Sequence, residues 1–117
     1  MRSTTTYNRG DVVFVPFRFT ARDTKSKQRP AVVISSDAYH DSRNDVMIAG
    51  ITSNLAREGF VGQVTLSDWQ ASGLSTPSAV SGIIMTVRDS VIARRVGALT
   101  GADRESLDNA LRESLGQ

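Results

Sequence analysis

The stretch DVVFVPFRFTARDTKSKQRPAVVISS, residues 11–36, decides the fold. Its two ends, Asp11–Thr20 and Pro30–Ser36, are rich in β-branched and apolar side chains, which predicts two strands. The second run is almost wholly apolar in its middle, so we expect it to lie centrally in the sheet. Pro16 excludes a continuous central ladder in the first run and predicts an edge, a bulge or a bend there.

The connection between these two runs is polar and basic. Ala21–Gln28 is long for a hairpin loop, which indicates that it is either mobile or functional. Its end, Lys25-Ser26-Lys27-Gln28-Arg29-Pro30, closes on a proline. Because Pro30 fixes its own φ and pushes the preceding residue toward an extended conformation, we expect the Arg29 guanidinium at the mouth of the second strand.

Three further strands are predicted downstream by apolar runs or by alternation. They are Val46–Thr52, Gly62–Leu66 and Ser78–Val87. We expect the last of these to be interrupted at Gly82. Asp37–Asp45 is predicted to be a polar loop, and residues 91–99 are ambiguous between a strand and a helical turn.

The C-terminal region has the pattern of an amphipathic helix of about fourteen residues. Thr100 is placed to cap this helix, and Asp103 follows three residues later, as in a capping box. The apolar stripe of the helix consists of Ala102, Leu107, Ala110, Leu111 and Leu115. Several strands followed by one helix predict a mainly β fold with α-helix, a small antiparallel barrel with helical additions.

The 117 residues are expected to form a single domain, residues 10–117, after a flexible polar N-terminal arm, residues 1–9. The absence of cysteine excludes disulfides and thiolate metal sites and is compatible with a reducing cytosol. No apolar run approaches the length of a membrane span, so we expect a cytoplasmic protein without membrane contact. A domain this small often gains stability by oligomerisation, and we expect a homodimer.

Charge is unevenly distributed along the chain. The first 30 residues carry seven basic and two acidic side chains, a net charge of +5, whereas the remaining 87 residues carry seven basic and ten acidic, a net charge of −3. This asymmetry favours an anionic partner for the first third of the chain. The alternative is a loop that is simply solvated by its charges.

Several common chemistries find no support in the sequence. The single histidine, His40, lies in the predicted polar loop, which disfavours a histidine metal site or a Ser-His-Asp triad. Asp37, Asp41 and Asp45 lack the alternate-residue ligands and the glycine of a calcium loop. The glycines match neither a P-loop nor a dinucleotide fingerprint. We therefore expect neither a metal nor a cofactor.

Arg29, Thr52 and Ser53 remain as a set without metal ligands and without a ready general base. Such a set can act on RNA, because the RNA supplies its own 2′-hydroxyl nucleophile and the protein need mainly orient it and neutralise charge. Arginine suits the second task, since its planar fork binds phosphate oxygens bidentately. The alternatives are a surface arginine before a strand and an ordinary β-branched residue at position 52.

Several stretches together resemble the PemK/MazF-type toxins. The early motifs are Arg9–Thr20, Gln28–Ser35 and Ile51–Ser53, and the later ones are Leu74 with Pro77-Ser78, and Ile92–Leu99. Each motif alone is weak. Their order over most of the chain makes the resemblance specific.

This resemblance implies a small SH3-like antiparallel β-barrel of the PemK/MazF/CcdB type with a C-terminal helix, assembled as a homodimer. It implies the growth-inhibiting toxin of a type II toxin–antitoxin system, neutralised by a MazE-like antitoxin. The implied activity is a metal-independent, sequence-selective endoribonuclease that cleaves single-stranded RNA such as mRNA. Its products would carry a 2′,3′-cyclic phosphate and a 5′-hydroxyl.

The resemblance also implies roles for individual residues. Arg29 would be the main catalytic residue, with Thr52 binding the scissile phosphate and Ser53 beside it. The implied RNA-binding residues are Arg18, Lys25, Lys27, Gln28, Asn54 and Ser78.

Two departures from the family pattern affect these roles. Many relatives have a proline where Arg18 stands, and many carry a basic residue soon after the Pro77-Ser78 pair, where this chain has Ala79-Val80-Ser81. Arg88 is the candidate replacement for that missing basic group. Two other functions stay open: a CcdB-like toxin that poisons DNA gyrase, and a non-catalytic RNA-binding module.

Overall fold

The computed structural model describes residues 7–17, 27–56 and 60–117. Within them, six strands and two α-helices follow one another along the chain. The strands are β1 (Asp11–Phe17), β2 (Lys27–Val33), β3 (Asp45–Thr52), β4 (Val64–Thr65), β5 (Ala79–Arg88) and β6 (Arg94–Ala98). The helices are α1 (Asp37–Ser42) and α2 (Gly101–Ser114), and a short 3₁₀ turn (Asp89–Val91) precedes β6.

The six strands form one curled antiparallel sheet, a half-barrel, in the order β4-β5-β3-β2-β1-β6. Alternate side chains of β1, β2 and β3 point to opposite faces and build two buried clusters. One cluster is centred on Val12, Val32 and Ile51 and is covered by Leu107 of α2. The expected mainly β fold with a C-terminal helix is confirmed.

β2 begins earlier than the sequence indicates. Lys27, Gln28 and Arg29 are already part of the strand and pair with Phe17, Pro16 and Val15 of β1. The expectation that they belong to the loop was wrong, because pairing with β1 extends the strand past its apolar core. Pro30 is tolerated inside β2 because β3 pairs only with 31–33, so only one edge of β2 is paired at the proline.

The expectation for Pro16 is confirmed. β6 pairs with β1 only from Asp11 to Phe14, with an irregularity between Val12 and Val13. Pro16 therefore lies where β1 has a partner on one side only, and its missing N–H costs no ladder hydrogen bond with β6.

The prediction of a polar loop at residues 37–45 was wrong, because residues 37–42 form helix α1. Ser36 caps this helix, and its hydroxyl oxygen accepts a hydrogen bond from the Tyr39 N–H over 3.2 Å. His40 is half-buried on the helix rather than solvated in a loop. The buried Ser35 hydroxyl accepts from the Met47 N–H and lies 2.5 Å from the Nε2 atom of His40, so it holds α1 on β3.

Two strands differ in extent from their predictions. β4 is only Val64–Thr65, shorter than the predicted Gly62–Leu66. β5 is continuous through Gly82, where a positive φ of 83° accompanies extra residues between the Ala49↔Ile84 and Ile51↔Val80 pairs. Glycine is suited to this bulge because its φ lies in the left-handed region.

α2 has the predicted length, 14 residues, but not the predicted capping box. The Thr100 hydroxyl donates to an Asp68 carboxylate oxygen at 3.0 Å and makes no cap. The buried Asp103 carboxylate accepts three hydrogen bonds of 2.7 to 2.9 Å from Ser67 and Asp68. The side chains of Thr100 and Asp103 therefore bind the start of the helix to the turn after β4. They do not form hydrogen bonds with the backbone of the helix's own first turn, as a capping box would.

The apolar stripe of α2 is buried only in part. Leu107 is buried, and Ala110 and Leu111 are partly covered. Ala102 and Leu115 are exposed, contrary to the predicted stripe. No helix within the described residues is long and apolar enough to span a membrane.

The described part of the predicted arm packs on the domain. Tyr7 lies against the cluster that contains Val13 and Val15. Burial raises the pKa of Tyr7, and the carboxylates of Asp89 and Asp11 add to that effect. Arg9 donates to the Ile34 carbonyl at 3.1 Å and pairs with Asp108 of α2.

Candidate active site

A cavity of about 710 Å³ opens where the end of β3, the start of β2, β6 and the segment before β5 meet. The residues around it come from distant parts of the chain. They are Phe14, Arg29, Pro30, Ile51, Thr52, Ser53, Gly73, Leu74, Ser75, Thr76, Ser78, Arg94, Arg95 and Val96. This cavity holds the three residues that the sequence singled out, Arg29, Thr52 and Ser53.

Arg29 enters the cavity from β2, opposite Val15 of β1. The residue is half-buried, and its Nε atom is inaccessible to solvent. Pro30, the next residue, also lines the cavity. A strand position beside a proline restricts the backbone of Arg29, so its guanidinium is delivered from a rigid element rather than from a loop.

Thr52 and Ser53 reach the cavity from the end of β3. The Thr52 hydroxyl oxygen accepts a hydrogen bond from the Asn54 N–H over 3.0 Å. A hydroxyl that accepts in this way still carries its own proton, which it can donate to an oxygen in the cavity. The Asn54 side chain in turn accepts from the Ala56 N–H at 3.1 Å, so Asn54 holds the turn and is not among the lining residues.

Arg94 and Arg95 of β6 supply two further cations, which the sequence interpretation did not assign to the site. The Arg94 guanidinium lies 5.0 Å from the centroid of the Phe14 ring, a cation–π geometry. The Arg95 Nε atom lies 3.0 Å from a carboxylate oxygen of Asp11. Asp11 is almost completely buried, whereas Arg95 is about half exposed. The pair of adjacent arginines inside the Ile92–Leu99 motif was the available signal.

One wall of the cavity is formed where the backbone of β6 lies very close to the backbone of the turn at residues 72–73. A Cβ atom on Gly97 would lie 2.2 Å from the Ser72 carbonyl oxygen, and one on Gly73 would lie 2.3 Å from the Val96 carbonyl oxygen. Gly73 also has a φ of 91°. Only glycine permits this contact, which places the segment 73–78 beside β6.

The other predicted RNA-binding residues have different positions. Ser78 lines the cavity, but it is buried and its hydroxyl donates to the Thr76 carbonyl at 2.8 Å. Gln28 is exposed next to Arg29 and does not line the cavity. Arg18 and Lys25 lie outside the described residues, and of Lys27 only the backbone is described.

Arg88 does not replace the missing basic group near the cavity. It pairs with Asp45 at one end of β5, whereas Ala79 pairs with Thr52 at the other. Nine residue steps of a strand span about 30 Å, so Arg88 is remote from Thr52.

The cavity is electropositive. Three arginines and no carboxylate are among the described residues that line it. Thr52, Ser53 and Thr76, which carry hydroxyl groups, line the same cavity. Guanidinium groups and hydroxyl donors together suit a phosphate-bearing ligand. Among the described residues, no group of three or more histidine or acidic side chains is arranged to hold a metal ion.

Comparison with known protein families identifies the fold. The model of the PemK-like, MazF-like toxins of type II toxin–antitoxin systems matches residues 8–115. The chain belongs to this family. The resemblance carried by the strand motifs in the sequence is thereby confirmed. No curated protein matches the sequence significantly.

Solved structures of MazF toxins share this fold. A mycobacterial endoribonuclease in complex with its cognate antitoxin superposes with a TM-score of 0.74 at 20% identity, over 95% of this chain and 96% of that one. MazF from Deinococcus radiodurans gives 0.73 at 20% identity, over 97% and 99% of the two chains. The Mycobacterium tuberculosis toxin MazF-mt6 gives 0.72 at 20% identity, over 91% and 96%.

Proposed function

We propose that this MazF-like protein is a metal-independent endoribonuclease that cleaves single-stranded RNA. The observation that carries the proposal is the convergence of Arg29 with Thr52 in a cavity lined by two further arginines. One of the similar structures is an endoribonuclease, which supports the same reaction class. Arg29, Thr52 and Ser53 are the catalytic residues of the proposal.

In the proposed reaction the 2′-oxygen of the RNA attacks the adjacent phosphorus and loses its proton, and the bond from phosphorus to the 5′-oxygen breaks. The leaving 5′-oxygen takes up a proton. The products are a 2′,3′-cyclic phosphate and a 5′-hydroxyl end. The Arg29 guanidinium neutralises the charge that builds on the phosphate oxygens, and the Thr52 hydroxyl donates to the same phosphate.

Arg94 and Arg95 bind the phosphates that flank the scissile bond. The ring of Phe14 and the buried carboxylate of Asp11 fix the two guanidinium groups, so less side-chain freedom is lost when RNA binds. Arg18, Lys25, Lys27, Gln28, Asn54 and Ser78 are the further RNA-binding residues of the proposal.

The proposal extends to the cellular context of the protein. The protein acts in the cytoplasm as a homodimer, and a MazE-like antitoxin neutralises it. Structures of MazE with MazF from Deinococcus radiodurans support an antitoxin partner. A tail with acidic and apolar residues would occupy the cationic cavity in place of RNA, because carboxylates satisfy the same guanidinium groups as phosphates.

Substitution of Arg29 tests the proposal. We expect Arg29→Ala to lower the cleavage rate of single-stranded RNA by a factor of about 1,000 or more, since it removes the main electrostatic stabilisation. The circular dichroism spectrum of the variant should match that of the wild type, because the substitution leaves the fold intact. Arg43→Ala is the matched control, because Arg43 is an exposed arginine paired with Asp45 outside the cavity. Equal rates for the wild type and Arg29→Ala would refute the proposed role of Arg29.

A further inference from the structure

Phe14 lies in the middle of a row of residues that crosses β6, β1 and β2. Pro30 of β2 pairs with Phe14 on one side, and Arg94 of β6 pairs with it on the other. Residues that face each other across antiparallel strands share one face of the sheet. All three residues line the cavity. The row is therefore part of the cavity wall, and its Pro30 end is next to Arg29 in the chain.

The accessible end of this row is the guanidinium group of Arg94. This group lies over the Phe14 ring, 5.0 Å from the ring centroid. Phe14 is half-buried, whereas Arg94 is exposed, so a ligand reaches the pair from the guanidinium side. A contact with the face of an aromatic ring uses no N–H group. The edge of the Arg94 guanidinium can therefore still donate hydrogen bonds to phosphate oxygens.

Arg95, the neighbouring cation, is held in a different way. Its Nε atom lies 3.0 Å from a carboxylate oxygen of Asp11. This contact fixes the Arg95 guanidinium by its edge, through an anion. The Arg94 guanidinium is instead supported by an aromatic ring. The two adjacent arginines therefore present different groups to a ligand: Arg95 presents mainly charge, and Arg94 presents a planar group as well.

Single-stranded RNA has flat groups that need partners as well as charges. Its unpaired bases stack on aromatic side chains or on the guanidinium planes of arginine. Phe14 is the only aromatic residue among the described residues that line the cavity. A base that stacks on an aromatic group in this part of the structure therefore meets the pair of Arg94 and Phe14, and Arg94 is the exposed member of that pair.

We propose that the Arg94 guanidinium, supported by the Phe14 ring, stacks on the base of a nucleotide next to the scissile phosphate while its edge binds phosphate. This inference rests on the proposed endoribonuclease and assigns a base-binding residue to it. Two strand spacings, about 10 Å, separate the backbones of Arg94 and Pro30, so the stacked base lies beside the phosphate at Arg29 rather than on it. The stack requires an unpaired base at that position, which favours single-stranded RNA over a duplex.

Binding of intact and abasic RNAs tests the stack. The parent protein carries Arg29→Ala to prevent cleavage, and each single-stranded RNA lacks the base at a different position. Arg94→Lys keeps the charge but loses the planar group. We expect this substitution to weaken binding of intact RNA about tenfold without changing the salt dependence. Removal of one particular base should weaken binding to the parent about tenfold and should not weaken binding to the Arg94→Lys variant further.

Arg95→Lys in the same parent is the matched control. It also exchanges an arginine for a lysine, but at a position that Asp11 holds by its edge. Loss of the critical base should therefore weaken binding to this variant as much as binding to the parent. Additive effects of Arg94→Lys and base removal at every position would overturn the inference, because Arg94 would then bind phosphate alone. Equal loss of the base effect in the Arg94→Lys and Arg95→Lys variants would also overturn it.

Substitution of Phe14 tests whether the ring supports the stack. Phe14→Leu should reduce the effect of base removal, because the guanidinium of Arg94 loses the ring beneath it. Phe14→Tyr should preserve the effect, because tyrosine offers the same ring face. A base effect of full size in the Phe14→Leu variant would overturn the role of the ring. A base effect as expected, with RNA that the wild type leaves uncut, would instead refute the endoribonuclease and leave the stack intact.

Discussion

At the scale of single residues, the buried carboxylate of Asp11 holds the guanidinium group of Arg95, one of the three arginines that line the cavity. It accepts from the Asn8 N–H at 2.8 Å through one oxygen and pairs with Arg95 through the other. The Arg95 Nε atom is thereby occupied, and Arg95 also lines the cavity. A half-exposed arginine held by a buried anchor can bind phosphate with little loss of side-chain entropy.

This arrangement makes Arg95→Ala a test of phosphate binding. In an Arg29→Ala background that prevents cleavage, the substitution should weaken RNA binding about tenfold and reduce the slope of log K against log[salt] by about 0.7. Arg112→Ala, on α2, should leave the slope unchanged. Fluorescence titrations at several salt concentrations measure both. An unchanged slope for Arg95→Ala would show that Arg95 only supports the fold.

Asp103 makes the stability of the fold depend on pH. Burial raises its pKa, but hydrogen bonds from the Ser67 and Asp68 N–H groups and the Ser67 hydroxyl outweigh burial and lower the pKa. Because the folded-state pKa lies below the unfolded-state value, the carboxylate stabilises the fold above about pH 4, and this contribution is lost as the pH falls further.

Asp103→Asn should accordingly lower the free energy of unfolding at pH 7 by about 1 to 3 kcal/mol. The variant should also lose less stability than the wild type between pH 5 and about pH 2, since it lacks the titrating group. Urea denaturation across this range measures the difference. Parallel pH profiles for the two proteins would contradict the role assigned to Asp103.

At the scale of elements, the contact between β6 and the turn before β5 shapes the cavity. Gly97→Ala would place a methyl group 2.2 Å from the Ser72 carbonyl oxygen. We expect a loss of about 1 to 3 kcal/mol of stability and slower RNA cleavage, because the backbones must separate. Gly101→Ala is the control, with no atom within 4 Å of the added group. Equal stability of the two variants in urea would show that the contact is dispensable.

Local pattern predicted most of the strands and the helix, but not the pairing between distant segments. The apolar runs within residues 11–20 and 30–36 indicated strands correctly, and Pro16 indicated the one-sided pairing of β1, since both signals depend on local conformation and burial. Helix α1 was not predicted, because the segment that follows its Ser36 cap is short and polar and has no apolar stripe. The strand character of Arg29 depends on pairing with Val15, which no local signal records.

The candidate site also combines residues that could be predicted from the sequence with residues that only long-range pairing brings together. Arg29, Thr52 and Ser53 were selected by chemistry and by resemblance, and the structure places them in one cavity. Arg94 and Arg95 were missed because the segment 91–99 has no clear periodicity. Only the pairing of β6 with β1 brings them to the cavity, opposite Phe14 and near Asp11.

At the scale of the whole molecule, an arginine-lined cavity and a neutral apolar edge lie on one small half-barrel. The two surfaces differ in chemistry, because arginine side chains line the cavity whereas apolar side chains are exposed along β5. The cavity suits a polyanion. In the reaction proposed for the cavity, the RNA supplies the nucleophile, and the protein supplies orientation and positive charge.

The most direct test of that claim compares two RNAs in the presence of a chelator, after the cleavage position has been mapped. One is unmodified, and the other has a single 2′-deoxy nucleotide immediately 5′ of the scissile phosphate. The account predicts that only the unmodified RNA is cut, to a 2′,3′-cyclic phosphate and a 5′-hydroxyl end. Equal cleavage of the two RNAs would contradict it.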